Sequence, residues 1–308
     1  MKKVLTAVIA AAMAASLAAC GSSAAETTAA ETTTAAESTA AESSAEQTSA
    51  EAADAKADAK ESGEAAASDT AVEGKVTIAA AAASLEYAFT EKLIPAFEEA
   101  NPGVTVEGTY DSSGKLQTQI ENGLDADIFF SAATKQMNAL KDEGYTRDDT
   151  ILNYLENKIV LVVPADSDSD MKSFEDIANA NMIAIGDPES VPAGQYAKEA
   201  LTNLGIWDSV QDKLSLGTNV TEVLNWVAEG SADCGIVYAT DAATTDKVKV
   251  VAEAPEGALE KPVVYPVAMM KQTEDKDATA AQKFYDYITS DEGFEVFKEY
   301  GFADYRNK

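Results

Sequence analysis

Hydrophobic positions divide the chain at about residue 75. In 21–74, Val72 is the only large apolar side chain, and alanine, threonine, serine and glutamate recur in blocks. From residue 75 onward, short apolar runs of strand length alternate with segments whose apolar residues recur at helical spacing. That alternation predicts strand–helix–strand units and largely parallel sheets.

The apolar runs and their flanking polar residues locate the individual elements. We predict strands over 75–81, 104–110, 127–131, 158–163, 182–185, 234–238, 247–251 and 263–270. We predict helices over 84–100, 114–122, 135–143, 173–180, 194–204, 220–229, 278–289 and 292–300. Pro95 is expected to kink or split the first helix, because proline lacks the amide hydrogen that a helix interior needs.

The first 19 residues are predicted to be a secretory signal peptide, because two lysines precede a short apolar run. The run ends in Leu17-Ala18-Ala19-Cys20-Gly21, which resembles the lipobox of bacterial lipoproteins. That resemblance implies cleavage before Cys20 and a lipidated N-terminus, whose two acyl chains hold a membrane far better than one. The alternative is a plain signal peptide in which the cysteine is incidental.

Residues 20–74 are predicted to be a disordered tether, because a segment with almost no large apolar side chain cannot form a core. As a coil of this length it would reach roughly 40 Å. Its function is either that of a spacer between the membrane and the folded body, or that of a tail that does not serve to extend the body from the membrane.

Charge excludes several classes of function. The chain carries 53 acids, 23 bases, no histidine and a net charge of −30. The signal peptide contributes +2 and residues 21–74 contribute −10, which leaves −22 for the body. Nucleic acid is therefore not an expected partner, because phosphate binding needs clustered basic residues. Without histidine there is no Ser–His–Asp or Cys–His catalytic arrangement and no imidazole zinc site, and we expect no enzyme activity.

Small and hydroxyl-bearing residues stand at four predicted helix starts. They are Ser84, Asp111–Gly114, Pro192–Gly194 and Thr218–Thr221. The first amides of a helix have no intrahelical acceptor, and loops at the carboxyl ends of strands in an α/β sheet converge on one crevice. Each such turn taken alone is most simply an ordinary helix cap. Taken together, they predict a site that holds an anion without a basic side chain.

The physics of that site favours a fully deprotonated oxyanion. Each helix N-terminus is equivalent to roughly +0.5 charge, so three or four offset a dianion. The hydroxyl of Tyr238, at a predicted strand end, could add one more donor.

Six segments carry a resemblance to one known family. They are Ala80–Leu85, Tyr110–Leu116, Ala126–Ala132, Gly186–Ala200, Gly235–Tyr238 and Val264–Val267. The most specific reads Gly-Asp-Pro-x-x-Val-Pro-Ala-Gly-x-Tyr-Ala-Lys and begins at Gly186. Through these segments, residues 75–308 resemble the molybdate-binding proteins of bacterial ABC importers.

The resemblance implies an α/β, two-lobed type II periplasmic-binding-protein fold. Each lobe is expected to be a mostly parallel sheet flanked by helices, with the ligand in the cleft between the lobes. We place lobe one at 75–157 plus 262–308 and lobe two at 158–261.

The resemblance also implies the ligand and its contacts. Molybdate, the tetrahedral oxyanion of molybdenum, is expected to be held by Ser84, Ser113, Ala193, Val220 and Tyr238, with tungstate as a close mimic. The family often has serines at the positions of Asp111 and Gly114, and we expect the Asp111 carboxylate to face solvent because it would repel the ligand.

The implied role is that of a monomeric extracytoplasmic lipoprotein without a cofactor. It would capture molybdate for the permease of an ABC importer, anchored to the outer face of the cytoplasmic membrane through Cys20. Two alternatives stay open: a binder of another tetrahedral oxyanion such as sulfate, and a surface interaction module without a transport role.

Overall fold

The structure, a computed structural model, describes residues 72–275 and 278–308. The predicted signal peptide, Cys20 and the tether up to residue 71 lie outside the described residues. Within the described part, eleven strands form two sheets. The strands are β1 (Gly74–Ala81), β2 (Val104–Asp111), β3 (Ile128–Phe130), β4 (Leu152–Asn157), β5 (Ile159–Pro164), β6 (Ile183–Gly186), β7 (Leu214–Gly217), β8 (Cys234–Tyr238), β9 (Val248–Glu253), β10 (Val263–Met269) and β11 (Ala303–Asp304).

Helices cover the faces of both sheets. They are α1 (Ser84–Ala88), α2 (Ile94–Ala100), α3 (Ser113–Glu121), α4 (Thr134–Asp142), α5 (Pro192–Asn203), α6 (Trp207–Val210), α7 (Val220–Ala228), α8 (Ala239–Ala242), α9 (Thr279–Thr289) and α10 (Asp291–Glu299). Short 3₁₀ turns occupy Asp148–Thr150, Glu175–Asn179, Gln211–Lys213 and Lys271–Asp275. None of the helices in the described residues has the length and hydropathy of a membrane-spanning segment.

The first predicted helix is interrupted, as expected from Pro95. A π-helical turn, Phe89–Leu93, separates α1 from α2, and Pro95 lies in the first turn of α2. Because Pro95 cannot donate a backbone hydrogen bond, the regular pattern cannot continue through it. The wider turn accommodates the missing bond and keeps Phe89 fully buried.

Each sheet anchors one lobe of a two-lobed fold. The first sheet has the strand order β11-β4-β10-β3-β1-β2, and the second has β7-β6-β8-β5-β9. The chain passes from the first sheet to the second between Asn157 and Ile159, and it returns to the first sheet between Glu253 and Val263. The exact lobe boundaries that the sequence suggests stay a prediction.

Most strands of each sheet run in one direction, as expected, but the sheets are mixed: among the described residues β10 and β11 are reversed in the first sheet and β5 in the second. In the first sheet β1 is parallel to β2 and β3, but β10 is antiparallel to β3 and β4. In the second sheet β6 is parallel to β7 and β8, but β5 is antiparallel to β8 and β9. The direction of β5 and β10 follows from the two places where the chain passes from one sheet to the other. Each of these strands begins at the interlobe side of its sheet, so it must run away from the other lobe. Strands whose carboxyl ends face the other lobe run in the opposite direction.

The buried apolar core holds the two sheets in place on either side of the interlobe region. Both β5 and β10 are almost wholly buried, as expected for strands covered on both faces. One hydrophobic cluster includes residues of both sheets, and a smaller one packs α3 and α4 on the other face of the first sheet. In the larger cluster, the ring of Phe297 packs against three others, with centroids 5.6–5.7 Å from those of Phe89, Phe130 and Tyr154.

Candidate functional site

A small cavity of about 10 Å³ lies between the two sheets, where the carboxyl ends of several strands meet. That volume is room for about one water molecule, so the two walls are in close contact. Among the described residues, those that line it include no lysine, arginine, aspartate or glutamate. The lining consists of Ala81, Ala82, Ser112, Ser113, Ala132, Val191, Pro192, Ala193, Asn219, Val220, Tyr238 and Tyr265.

The start of α3 supplies two adjacent serines. Ser112 precedes the helix in an extended conformation, and Ser113 is its first residue. The Ser113 Oγ accepts a hydrogen bond of 2.9 Å from the amide of Ala132, so its hydroxyl hydrogen is still available to a ligand. The Ser112 Oγ is buried without a partner.

The start of α5 brings a backbone amide to the cavity. Pro192 is the first helical residue and has no N–H, so the amide of Ala193 is the first that can point out of the helix. A side chain at Gly194 would place its Cβ 1.9 Å from the carbonyl oxygen of Gly186. Glycine there lets α5 approach the end of β6 closely, which fixes the amide of Ala193 at the interlobe face.

The start of α7 is capped so that its outward amide stays free. The side chain of Asn219 accepts a hydrogen bond of 2.9 Å from the amide of Glu222. Val220, the first residue of the helix, has no intrahelical acceptor for its own amide. The side chain of Asn219 therefore caps this helix, while the amide of Val220 stays available to a ligand.

Tyr238 closes the cavity from the end of β8. Its hydroxyl donates a hydrogen bond of 3.2 Å to the carbonyl oxygen of Ala132, which belongs to the other lobe. Its ring packs edge-on against that of Tyr265, with centroids 5.3 Å apart. Burial, with the neighbouring Tyr196 and Asp241, raises the pKa of Tyr238 well above its ordinary value. The hydroxyl is therefore a neutral donor.

Ser84 is placed differently from the other four predicted ligand residues. It is buried, but its donors are used by Asp241: the amide lies 3.1 Å and the hydroxyl 2.6 Å from Asp241 Oδ1. The preceding residue, Ala83, has a φ of 65°, a strained value for alanine that turns the chain into α1. The structure thus brings Ser113, Ala193, Val220 and Tyr238 to one lining and places Ser84 behind it.

Asp111 is not among the residues that line the cavity. It accepts hydrogen bonds from the amide of Ser112 at 2.7 Å and from Lys115 Nζ at 3.2 Å. The side chain is 24% exposed, so it lies at the surface beside Lys115 rather than free in solvent.

Four residues of this region were not predicted as site residues. Ser112 and Tyr265 stand inside segments that the sequence analysis singled out, yet neither was assigned a role. Whether one or both of two neighbouring serines reach a cavity depends on the exact first residue of a helix, and sequence patterns locate that residue only approximately. Ala132 also stands in a segment named above, but it contributes backbone groups, which residue type does not reveal. Asp241 reaches Ser84 across 157 positions of sequence, so nothing local points to it.

Residues 76–303 match the family model described as bacterial extracellular solute-binding protein. The chain belongs to this family. Solute-binding proteins of this kind hold a ligand between two lobes, which is where the cavity lies.

Similar proteins are named as molybdate-binding proteins or as substrate-binding proteins of ABC transporters. A protein of Escherichia coli (strain K12), named molybdate-binding protein ModA, is 40% identical over 237 residues, covering 75% of this chain and 90% of the relative. A protein of Bacillus subtilis (strain 168), named "Putative ABC transporter substrate-binding lipoprotein YvgL", is 43% identical over 236 residues, covering 77% and 90%. The periplasmic molybdate-binding protein of Azotobacter vinelandii has the same fold, with a TM-score of 0.63 at 24% identity, covering 74% of this chain and 98% of that one.

Proposed function

We propose that this solute-binding protein binds molybdate, with tungstate as a close mimic, and delivers it to the permease of an ABC importer. The observation that carries the proposal is the interlobe lining of helix-start amides and hydroxyls, without a charged side chain among its described residues. The molybdate-binding name of the Escherichia coli relative, at 40% identity, supports the choice of ligand.

The chemistry of the lining suits a fully ionised tetrahedral anion. The amides of Ser113, Ala193 and Val220 lie at the starts of three helices. Each helix N-terminus is equivalent to roughly +0.5 elementary charge. The hydroxyl of Ser113 adds a donor, and that of Tyr238 adds another when it gives up its bond to the carbonyl oxygen of Ala132. Hydrogen bonds to an oxyanion are about twice as strong as neutral ones. The net charge of −30 opposes an anion only weakly, because surface charges are screened over about 8 Å at physiological salt.

Ligand exchange requires the lobes to separate, because the cavity holds little more than one water molecule. We propose that lobe one comprises 75–157 plus 262–308 and lobe two 158–261, with hinges at the two crossings. Hydrogen bonds already join the lobes: Gly114 N to Ser190 O at 3.0 Å, and Gln136 Nε2 to Gln195 Oε1 at 3.2 Å. A bound oxyanion adds contacts to both walls and shifts the population further toward the closed form.

The cellular setting is part of the proposal. A signal peptide over 1–19, a lipid on Cys20 and a spacer over 20–74 would hold the monomeric body at the outer face of the cytoplasmic membrane. The relative named a lipoprotein supports this setting. The role requires no enzyme activity, no cofactor and no nucleic acid.

The proposal is tested by calorimetric titration of the purified protein with molybdate, tungstate, sulfate and phosphate. We expect one molybdate per chain, similar binding of tungstate, and weak or absent binding of the other two. Sulfate binding without molybdate binding would assign the site to another oxyanion. No binding of any anion would favour an interaction module instead.

Tyr238→Phe is the variant that ties binding to this cavity. It removes one donor hydroxyl, and we expect molybdate affinity to fall about tenfold or more, as for loss of a charge-assisted hydrogen bond. Tyr154→Phe is the matched control, because Tyr154 is equally buried and donates to a backbone carbonyl, that of Ile288, at 2.8 Å. The same titration should show unchanged affinity in the control. Equal affinities in both variants would remove Tyr238 from the site.

A further inference from the structure

Asp241 is a buried carboxylate that contacts the opposite lobe. It belongs to α8, which follows β8 of the second sheet, and it is 1% exposed. Its Oδ1 accepts hydrogen bonds from the amide and the hydroxyl of Ser84, which follows β1 of the first sheet. Its Oδ2 is buried without a partner. The carboxylate is thus only half satisfied by its surroundings.

The neighbours of this contact are neutral and lead to the cavity. The hydroxyl of Thr240 is 2.8 Å from that of Ser84 and accepts a hydrogen bond of 2.8 Å from Asn157 Nδ2. The same amide nitrogen is 3.2 Å from the hydroxyl of Tyr265, which lines the cavity. In the part of the chain that the structure describes, no lysine or arginine forms an ion pair with Asp241. Burial accordingly raises the pKa of Asp241 to about 6.

An amide and a hydroxyl from one serine form the donor pair that an oxyanion takes. A carboxylate oxygen occupies this pair in the structure, so it stands where an oxygen of a ligand held by Ser84 would stand. Two anions cannot share the pair, and a carboxylate beside a dianion is repelled by it. Binding through Ser84 therefore requires the carboxylate to move.

We propose that Asp241 is a resident anion of the binding site. It holds the donors of Ser84 across the lobes, and molybdate must displace it from Ser84 to gain those donors. Asp241 thereby lowers the affinity of the site for oxyanions. This inference rests on the proposed function, and it makes Asp241 a positioning residue that acts through Ser84.

Asp241→Asn tests the inference in the full chain. Asparagine keeps the size but loses the charge, so we expect molybdate to bind about tenfold more tightly by calorimetric titration. Because the effect passes through Ser84, the gain should be about threefold smaller in the Ser84→Ala background. The matched control is Asp127→Asn. Asp127 is also buried and accepts the amide and hydroxyl of one residue, Thr77, at 2.8 and 2.9 Å, with no part in the cavity lining.

A measurement on the unchanged sequence covers the case in which the variant does not fold. Amide resonances of Ser84 and Thr77 both report a carboxylate acceptor in ¹⁵N-labelled protein. Molybdate should shift the Ser84 amide, because its acceptor changes, and leave the Thr77 amide in place.

The outcomes separate the two proposals. If the wild-type protein binds no molybdate, the proposed function fails before Asp241 is tested. If it binds, then unchanged or weaker binding by Asp241→Asn overturns the inference. So does an unmoved Ser84 amide in a sample whose Ala193 amide shifts.

Discussion

Two adjacent serines at the start of α3 differ in what their hydroxyls contact. The Ser113 Oγ is the acceptor for the amide of Ala132, whereas the Ser112 Oγ has no partner. Both residues line the cavity. A ligand can receive a hydrogen bond from either, but only Ser113 also satisfies a buried backbone group of the protein.

This difference predicts distinct effects of the two alanine substitutions. Ser113→Ala should weaken molybdate binding by about 1.5–3 kcal/mol and lower stability by about 1–3 kcal/mol, because the buried amide of Ala132 loses its acceptor. Ser112→Ala should leave stability unchanged, because it removes a group without a partner. Calorimetric titration and thermal unfolding measure the two effects. Equal stability of the two variants would contradict the assignment.

At the scale of elements, the first turn of α3 sets how closely the lobes approach. The amide of Gly114 donates to the carbonyl oxygen of Ser190, which lies just before α5. A Cβ at Gly114 would lie 2.2 Å from that oxygen, far inside contact distance. The absence of a side chain at this position therefore lets two helix starts meet across the cleft.

Gly114→Ala should separate local stability from ligand binding. Alanine favours the helix by roughly 1 kcal/mol over glycine, so α3 itself is not weakened. The closed form is obstructed, and we expect molybdate affinity to fall about tenfold. Ser190→Ala is the control, because only the backbone oxygen of Ser190 makes the contact. X-ray scattering should show a larger radius of gyration for molybdate-saturated Gly114→Ala than for the control, and identical radii would refute the role of Gly114.

Elements with a clear apolar pattern could be predicted from the sequence, and others could not. The strands β1, β8 and β10 lie within a residue or so of their predicted bounds. The strand β4 was missed because polar Asn153 and Glu156 interrupt it and Lys158 joins it directly to β5. The edge strand β7 was missed because its position exposes Leu216, and the helix predicted over 173–180 forms only a 3₁₀ turn. Strand direction has no signature in the pattern, which is why the antiparallel pairs were not foreseen.

The site was predictable as far as local sequence determines it. Helix starts that follow strands of one sheet converge by topology, so Ser113, Ala193 and Val220 could be placed together in advance. The partner of Ser84 could not, because Asp241 meets it only after the lobes have packed. Contacts between distant segments depend on the packing of whole elements, and no spacing along the chain encodes them.

At the scale of the whole molecule, the two lobes share one apolar interior. A single hydrophobic cluster contains residues of both sheets, including Val76 of β1 and Ile183 of β6. The pair Tyr238 and Tyr265 joins the lobes through a ring contact beside the cavity. Separation of one lobe would therefore expose apolar surface of the other, and that cost couples their stability.

This coupling predicts a single cooperative unfolding transition for the body. Calorimetry should give equal calorimetric and van't Hoff enthalpies, because neither lobe retains its core alone. Molybdate at a hundred times its Kd should add about 2.7 kcal/mol of stability. For a domain of this size, that raises the midpoint by roughly 5–10 °C. Two transitions, only one of which moves with molybdate, would show instead that the lobes fold independently and that the ligand contacts one of them alone.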